Sequence, residues 1–539
     1  MPYLGGYHLD DEGLWVPDGA ARDLPYTEGE EFEAGLRAHL AAAGDLSVLS
    51  PELPALVDSP RTRYHLSPRR ANLLRPLEGL LRGRVLEVGA GCGALTRYLG
   101  EIGGSVTAVE GSRRRAAIAH LRTADLPNVA VVWDDVARFR DAEGFDAVVL
   151  VGVLEYARVF LRAGPGSQEL LLRHLAGLLA PDGVLVLAIE NQLGARYWAG
   201  GAEDHLLTPY FGLQDHYGDA TVATFGRHCL RQMLEASGLP HQEWYLPVPD
   251  YKLPVSVVSP AGLAVPGRFD AAAMLARHAF WDERRPVHPP FALERVWPVL
   301  QRNGLLLDFA NSFLVVAGPA PAFRQRLDRD VLAWSWAVER RAGCAKESAV
   351  TAAGGQLRIR RRALAPKAPA PDGAFGWRLH DEPYPEGENW WCRLCGVLTH
   401  PAWTPDDAVA WARTWLRAVL LAAGADPGAP PDPRRRVDGW LLGATPLQLV
   451  AGPEGDLRFT DLEWEARGGV ELGFLVWRAM EASLGQIGSV AWMRPGPPPT
   501  AAALLQVLLR GLGLDLAPSE LERYRRLEEA FQAAVAGAP

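Results

Sequence analysis

The chain has 539 residues, 48% of them apolar and 22% charged, with a net charge of −9 at neutral pH. At about 150 residues per domain this length exceeds one ordinary core and points to a multidomain protein. The acidic balance gives no support for a nucleic acid bound through its phosphates, and no apolar run reaches the roughly 18 residues needed to span a bilayer.

The start, MPYLGGYHLDDEGLW, lacks the basic and apolar regions of a signal peptide, so a cytoplasmic location without a transmembrane segment is expected. The spacing then predicts a helix over Glu28 to Ala43 and another over Tyr64 to Leu77, an N-terminal extension of residues 1–80. From Arg84 strands and helices alternate. Strands are expected at Arg84 to Val88, Ser105 to Val109, Val129 to Trp133, Ala147 to Val151 and Val184 to Ile189. Helices are expected at Ala94 to Ile102, Ser112 to Thr123 and Gln168 to Leu179, and a helix Arg227 to Ser237 with a strand Gln242 to Leu246 adds a sixth strand to an expected seven-stranded sheet. Such alternation builds an α/β fold with a doubly wound parallel sheet over residues 81–265.

Residues 266–325 read as connecting strands, and 326–539 as a C-terminal α+β domain punctuated by proline-rich breaks. In it, Gln356 to Arg362 looks like a strand, and Asp406 to Ala423 and Glu520 to Val535 like amphipathic helices. The five cysteines suit reduced thiols. Cys392 and Cys395 form one C-x-x-C flanked by His380 and His400, and two half-buried thiols are a better reading than zinc; no metal site is assigned.

The stretch RVLEVGAGCGALTRYLGEIGGSVTAVE is a strand, a glycine turn, a helix and a second strand with an acidic end. Gly89, Gly91 and Gly93 let the backbone approach a ligand closely, and the helix that follows offers its NH groups to an anionic part of it. Glu110 stands where a carboxylate can accept hydrogen bonds from two ribose hydroxyls. The sequence Gly89-Ala90-Gly91-Cys92-Gly93-Ala94 also fits a dinucleotide fingerprint, so a nicotinamide or flavin domain stays open on the glycines alone. Glu87, the acidic pair Asp134-Asp135 and the block Phe145 to Tyr156 favour S-adenosyl-L-methionine.

This order of features resembles the class I S-adenosylmethionine-dependent methyltransferases, with a Rossmann-like sheet. The resemblance implies that Glu87 lies near the methionine end, Glu110 holds the ribose and Asp135 takes the adenine amino group, with Ala90, Gly111, Asp134, Val136 and Val153 lining the same pocket. The blocks YHLSPRRANLLRPL, GVLEYA, LAIENQLGARYWAGGAEDH and PVPDYKLP further resemble bacterial methyltransferases of surface-polysaccharide synthesis. That likeness implies a sugar hydroxyl of lipopolysaccharide or another glycan as acceptor, with glycosyltransferases as candidate partners. A hydroxyl acceptor needs its proton removed. His205, beside Asp204 in the segment expected over the pocket, is the candidate base, with His65, His216 and the pair Tyr251 and Lys252 as alternatives; Glu190 or Asn191 is expected to position the acceptor or the methionine amino group.

The segment VDGWLLGATPLQLVAGPEGDLRFTDLEWE resembles the catalytic stretch of aminoglycoside-type phosphotransferases, with Asp461 as the metal ligand. It departs from that pattern at Gly443 and Gln448, where the catalytic Asp and the Asn are expected, and Lys346 is a poor nucleotide lysine. An inactive kinase-like domain is therefore expected, against a bifunctional methyltransferase and kinase or a non-catalytic glycan-synthesis scaffold.

Overall fold

The structure is a computed structural model and describes residues 5–19, 23–264, 269–368, 373–492 and 499–537. The chain divides into two compact units, Met1–Ala261 with Leu307–Glu339, and Gly262–Leu306 with Arg340–Pro539.

The first unit is built on one mixed sheet. Its strands are β1 (Tyr7–Leu9), β2 (Trp15–Pro17), β3 (Arg84–Val88), β4 (Ser105–Glu110), β5 (Val129–Trp133), β6 (Phe145–Val151), β7 (Leu179–Glu190), β8 (His241–Val248), β9 (Ser256–Val258), β10 (Ser312–Gly318) and β11 (Val331–Ala337). Across the sheet they follow the order β1-β2-β5-β4-β3-β6-β7-β10-β8-β9-β11. From β2 to β7 neighbours are parallel, and from β7 through β10, β8 and β9 to β11 they are antiparallel. The parallel strands are covered on both faces, which is why they read as continuous apolar runs: Val148 to Leu150 and Val184 to Ile189 are wholly buried.

A seven-stranded centre, β5-β4-β3-β6-β7-β10-β8, is present, but the strand beside β7 is β10 and not the one near Gln242. All seven residues of SFLVVAG in β10 are buried, so it needs a neighbour on each side and lies between β7 and β8. The helix expected over Tyr64 to Leu77 is broken into Pro60–Leu66, Arg69–Asn72 and the 3-10 turn Arg75–Leu80, because Pro68 and Pro76 lack the backbone NH that a helix interior uses. The N-terminal residues pack onto the sheet's helices: Leu36, Leu40, Leu53 and Leu66 share one cluster with Cys92 and Ile118. Residues 266–325 are not all strands. The described part holds helices Ala271–His278 and Leu293–Arg302 in the second unit and β10 in the first.

The second unit pairs Lys346–Ala353 with Gln356–Ala363, and the latter with Glu382–Pro383, all antiparallel. Its helices include Trp390–Leu398, Pro405–Ala422, Leu472–Gly485, Ala501–Gly511 and Pro518–Ala536, an α+β make-up around the fully buried Trp391 and Trp415. Among the described residues no helix is long and apolar enough to cross a membrane.

Candidate active site

Every residue assigned to the cofactor pocket from the sequence falls at one edge of the sheet, where the parallel strands end. Glu87 lies near the end of β3, Gly89 to Gly93 form the turn after it, and Glu110 and Gly111 end β4. Asp134, Asp135 and Val136 follow β5, and Val153 follows β6. The glycines have φ of 71°, 57° and 78° at positions 89, 91 and 93, the left-handed region that side chains rarely enter. A Cβ at Gly89 would stand 2.5 Å from Val153 Cγ2, so the turns after β3 and β6 pack directly together. Gly93 caps the helix Ala94–Glu101, and a Cβ there would meet Ala119 Cα at 2.8 Å on the helix Arg113–Thr123.

Glu110 grips this turn. Its Oε2 accepts from the Gly91 NH at 2.7 Å and its Oε1 from the Ser112 NH at 2.9 Å. Asp134 Oδ2 accepts from the Tyr7 hydroxyl at 2.7 Å, and Asp134 Oδ1 from the Asp135 NH at 2.8 Å. Glu87 is buried, with Oε2 lacking a hydrogen-bond partner, and burial pushes its carboxyl up to about 7. An orphaned buried oxygen beside a turn that admits backbone alone fits the ammonium end of S-adenosylmethionine.

Beside this pocket, at the ends of β6 and β7, lies a buried polar cluster. Glu190, the last residue of β7, accepts through Oε1 from Lys252 Nζ and, at 3.3 Å, from the Tyr251 hydroxyl. Its Oε2 faces His205 Nε2 at 3.6 Å, an ion-pair distance too long for a hydrogen bond. His205 Nδ1 is 3.0 Å from the Tyr156 hydroxyl. Asp204 turns away from the imidazole: Oδ2 accepts from Arg196 Nη2 at 2.9 Å and from the Tyr197 hydroxyl, and Oδ1 from Lys252 Nζ at 2.9 Å. Asp204 therefore anchors two cations, and the carboxylate that faces His205 is Glu190.

Burial would lower the His205 imidazole, but the charge of Glu190 outweighs it and raises the group to about 9. Burial would raise Glu190, and Lys252 with His205 instead holds it below the usual carboxylate range. Glu155, on the 3-10 turn after β6, goes the other way, lifted by burial and then by the negative charge of Glu190. Both of its carboxylate oxygens are buried without a hydrogen-bond partner. Sequence reading gave Glu155 no function; the only signal was its place in GVLEYA, one residue before the tyrosine that holds His205.

Other expected groups lie apart. Asn191 Nδ2 donates to the Asp308 and Ala310 carbonyls at 2.9 and 2.7 Å, so the amide braces a loop. His65 pairs with Glu28 at 2.7 Å, and exposed His216 with Gln214 at 2.9 Å. In the second unit Lys346 Nζ lies 2.5 Å from Asp461 Oδ1 and 3.1 Å from Glu463 Oε2, which brings the poor nucleotide-lysine candidate against the candidate metal ligand. Burial pushes the Cys392 thiol up to about 12 and Cys395 higher still, and among the described residues neither thiol joins a group of metal-ligand geometry.

Residues 86–185 match a family described as a methyltransferase domain. Over 120 residues the chain is 31% identical to Nodulation protein S of Bradyrhizobium diazoefficiens, covering 22% of this chain and 55% of that one. Over 127 residues it is 33% identical to a ubiquinone biosynthesis O-methyltransferase of Caulobacter sp. (strain K31), covering 23% and 46%. The chain thus spans about half the length of these two relatives. The crystal structure of the N-methyltransferase NodS from Bradyrhizobium japonicum WM9 aligns at 26% identity over 24% of this chain and 71% of that one, with a TM-score of 0.21 that carries no structural argument. Residues 86–185 thus carry the likeness to a methyltransferase domain.

Proposed function

We propose that the protein transfers a methyl group from S-adenosylmethionine to a hydroxyl of a sugar in a surface glycan or a related glycosylated acceptor. One observation carries the reading: the cluster of Glu155, Glu190 and His205 gathers where β6, the neighbour of β3, and β7, the next strand, end, the same end of the sheet as the glycine turn. A group positioned there sits beside the methyl donor, among side chains able to bind and orient a hydroxyl. In this reading Glu87, Gly89, Gly91, Gly93, Glu110 and Asp135 hold the donor, and His205 and Glu190 face the acceptor. Trp198, Leu207 and Tyr210, exposed on the segment after β7, suit the flat apolar faces of a sugar.

The test is titration calorimetry of the full chain with S-adenosylmethionine and S-adenosylhomocysteine, followed by a screen of sugar acceptors for S-adenosylhomocysteine release. Turnover confined to amine acceptors would replace the hydroxyl reading. A second reading, a bifunctional methyltransferase and kinase, is favoured by the Lys346–Asp461 pair alone. Magnesium ATP in the same calorimeter tests it, and absence of heat removes it.

A further inference from the structure

We propose that Glu155, Glu190 and His205 form a binding site for one divalent cation of the Mg2+ or Mn2+ type, next to the methyl donor. One ligand atom from each residue lies within 4.8 Å of the other two. The atoms that face inward are the ones left without hydrogen bonds: both oxygens of Glu155, Oε2 of Glu190 and Nε2 of His205. Atoms on the far side of two of these groups are fixed by the protein. Glu190 Oε1 is held by Lys252 and Tyr251, and His205 Nδ1 by Tyr156. Glu190 Oε2 and His205 Nε2 face each other at 3.6 Å without a hydrogen bond, and ligands whose outer atoms are tethered while their inner atoms converge are the usual arrangement around a bound metal.

Charge points the same way. Around this cluster the fixed cations Arg196 and Lys252 pair with Asp204, Asp250 and Glu190, and Glu155 is wholly buried, attracted by His205 and Lys252 but hydrogen-bonded to neither. A buried carboxylate without a donor is costly, and a divalent ion between Glu155 and Glu190 supplies the missing partner. Two carboxylates and one imidazole leave about three positions of an octahedral ion open to water or an acceptor oxygen.

The role at the acceptor, though not the site itself, rests on the methyltransferase reading. There the cation orients the acceptor hydroxyl and acidifies it. The hydroxyl proton passes to solvent water, the oxygen forms a bond to the methyl carbon as the carbon–sulfur bond breaks, and that electron pair returns to sulfur as neutral S-adenosylhomocysteine. His205 then serves as a ligand and does not carry the proton.

The experiment is a Mn2+ titration of the full chain, read by loss of the free aquo-ion signal in electron paramagnetic resonance, with S-adenosylhomocysteine titrated separately. One Mn2+ per chain is expected, weakened more than roughly tenfold in Glu155→Gln and His205→Asn at unchanged S-adenosylhomocysteine affinity. If those variants do not fold, Tyr156→Phe, which removes the tether on His205, is expected to weaken Mn2+ about tenfold. A wild type that leaves Mn2+ free, or folded variants that bind it as tightly, overturns the site. Mn2+ binding without S-adenosylhomocysteine binding keeps the site and removes the methyltransferase reading.

Discussion

The carboxylate of Glu110 accepts the Gly91 NH at 2.7 Å, so the acid that ends β4 also fastens the turn that follows β3. One side chain thereby ties the end of β4 to the glycine turn, the two parts that the proposed reading assigns to the ribose and the methionine of the donor. Each charge-assisted hydrogen bond contributes about 1.5–3 kcal/mol, so Glu110→Ala is expected to weaken S-adenosylhomocysteine binding by more than roughly tenfold. Calorimetry on the folded variant checks this, and an unchanged affinity takes Glu110 out of the pocket.

Gly93→Ala is expected to destabilise the first unit. Its Cβ would collide with Ala119 Cα at 2.8 Å, at a φ of 78° that already disfavours a side chain. Backbone strain of this kind costs about 1–3 kcal/mol, readable as a lower denaturation midpoint. A midpoint equal to wild type would mean that the two helices are not held this closely.

Glu87 predicts a pH dependence. Its folded-state value near 7 stands above that of an unfolded glutamate, so the stability it contributes is complete at acid pH and falls as pH rises through 7. If Glu87 holds the donor as proposed, binding works in the opposite sense, since the ammonium of S-adenosylmethionine prefers an ionised carboxylate. Affinity should therefore rise roughly tenfold from pH 5.5 to 7, and Glu87→Gln should flatten the curve. A wild-type affinity constant over that range would separate Glu87 from the ligand.

Asp204 and His205 are neighbours in sequence with separable consequences. Asp204→Asn withdraws the charge that Arg196 and Lys252 share, and breaking a buried pair costs about 3–5 kcal/mol. His205→Ala should leave cofactor affinity near wild type while slowing methyl transfer, a split that steady-state kinetics beside calorimetry resolves. Equal turnover in that variant would exclude the imidazole.

The sequence made β3, β4 and β5 legible because each is a short apolar run closed by glycine or acid, and their observed limits differ from expectation by at most one residue. The hairpin β1–β2 was hidden, since three-residue strands are too short to show a period. In the site, positions fixed by the turn chemistry of one βα unit could be read locally. Glu155 could not be singled out in this way, because its neighbours His205 and Glu190 are brought close by β7 and the loop after it, in space and not in sequence. Asp204 illustrates the reverse error, where adjacency to His205 suggested a partnership that side-chain direction denies.

The central strand β10 is read out long after its neighbours β7 and β8, behind the stretch Gly262–Leu306 that belongs to the other unit. A growing polypeptide on the ribosome therefore holds two unpaired strand edges while that stretch is translated, and the sheet closes only once Gly318 has left the exit tunnel. Substitutions in β10 that slow its insertion between β7 and β8 are therefore expected to lower yield without touching a ligand.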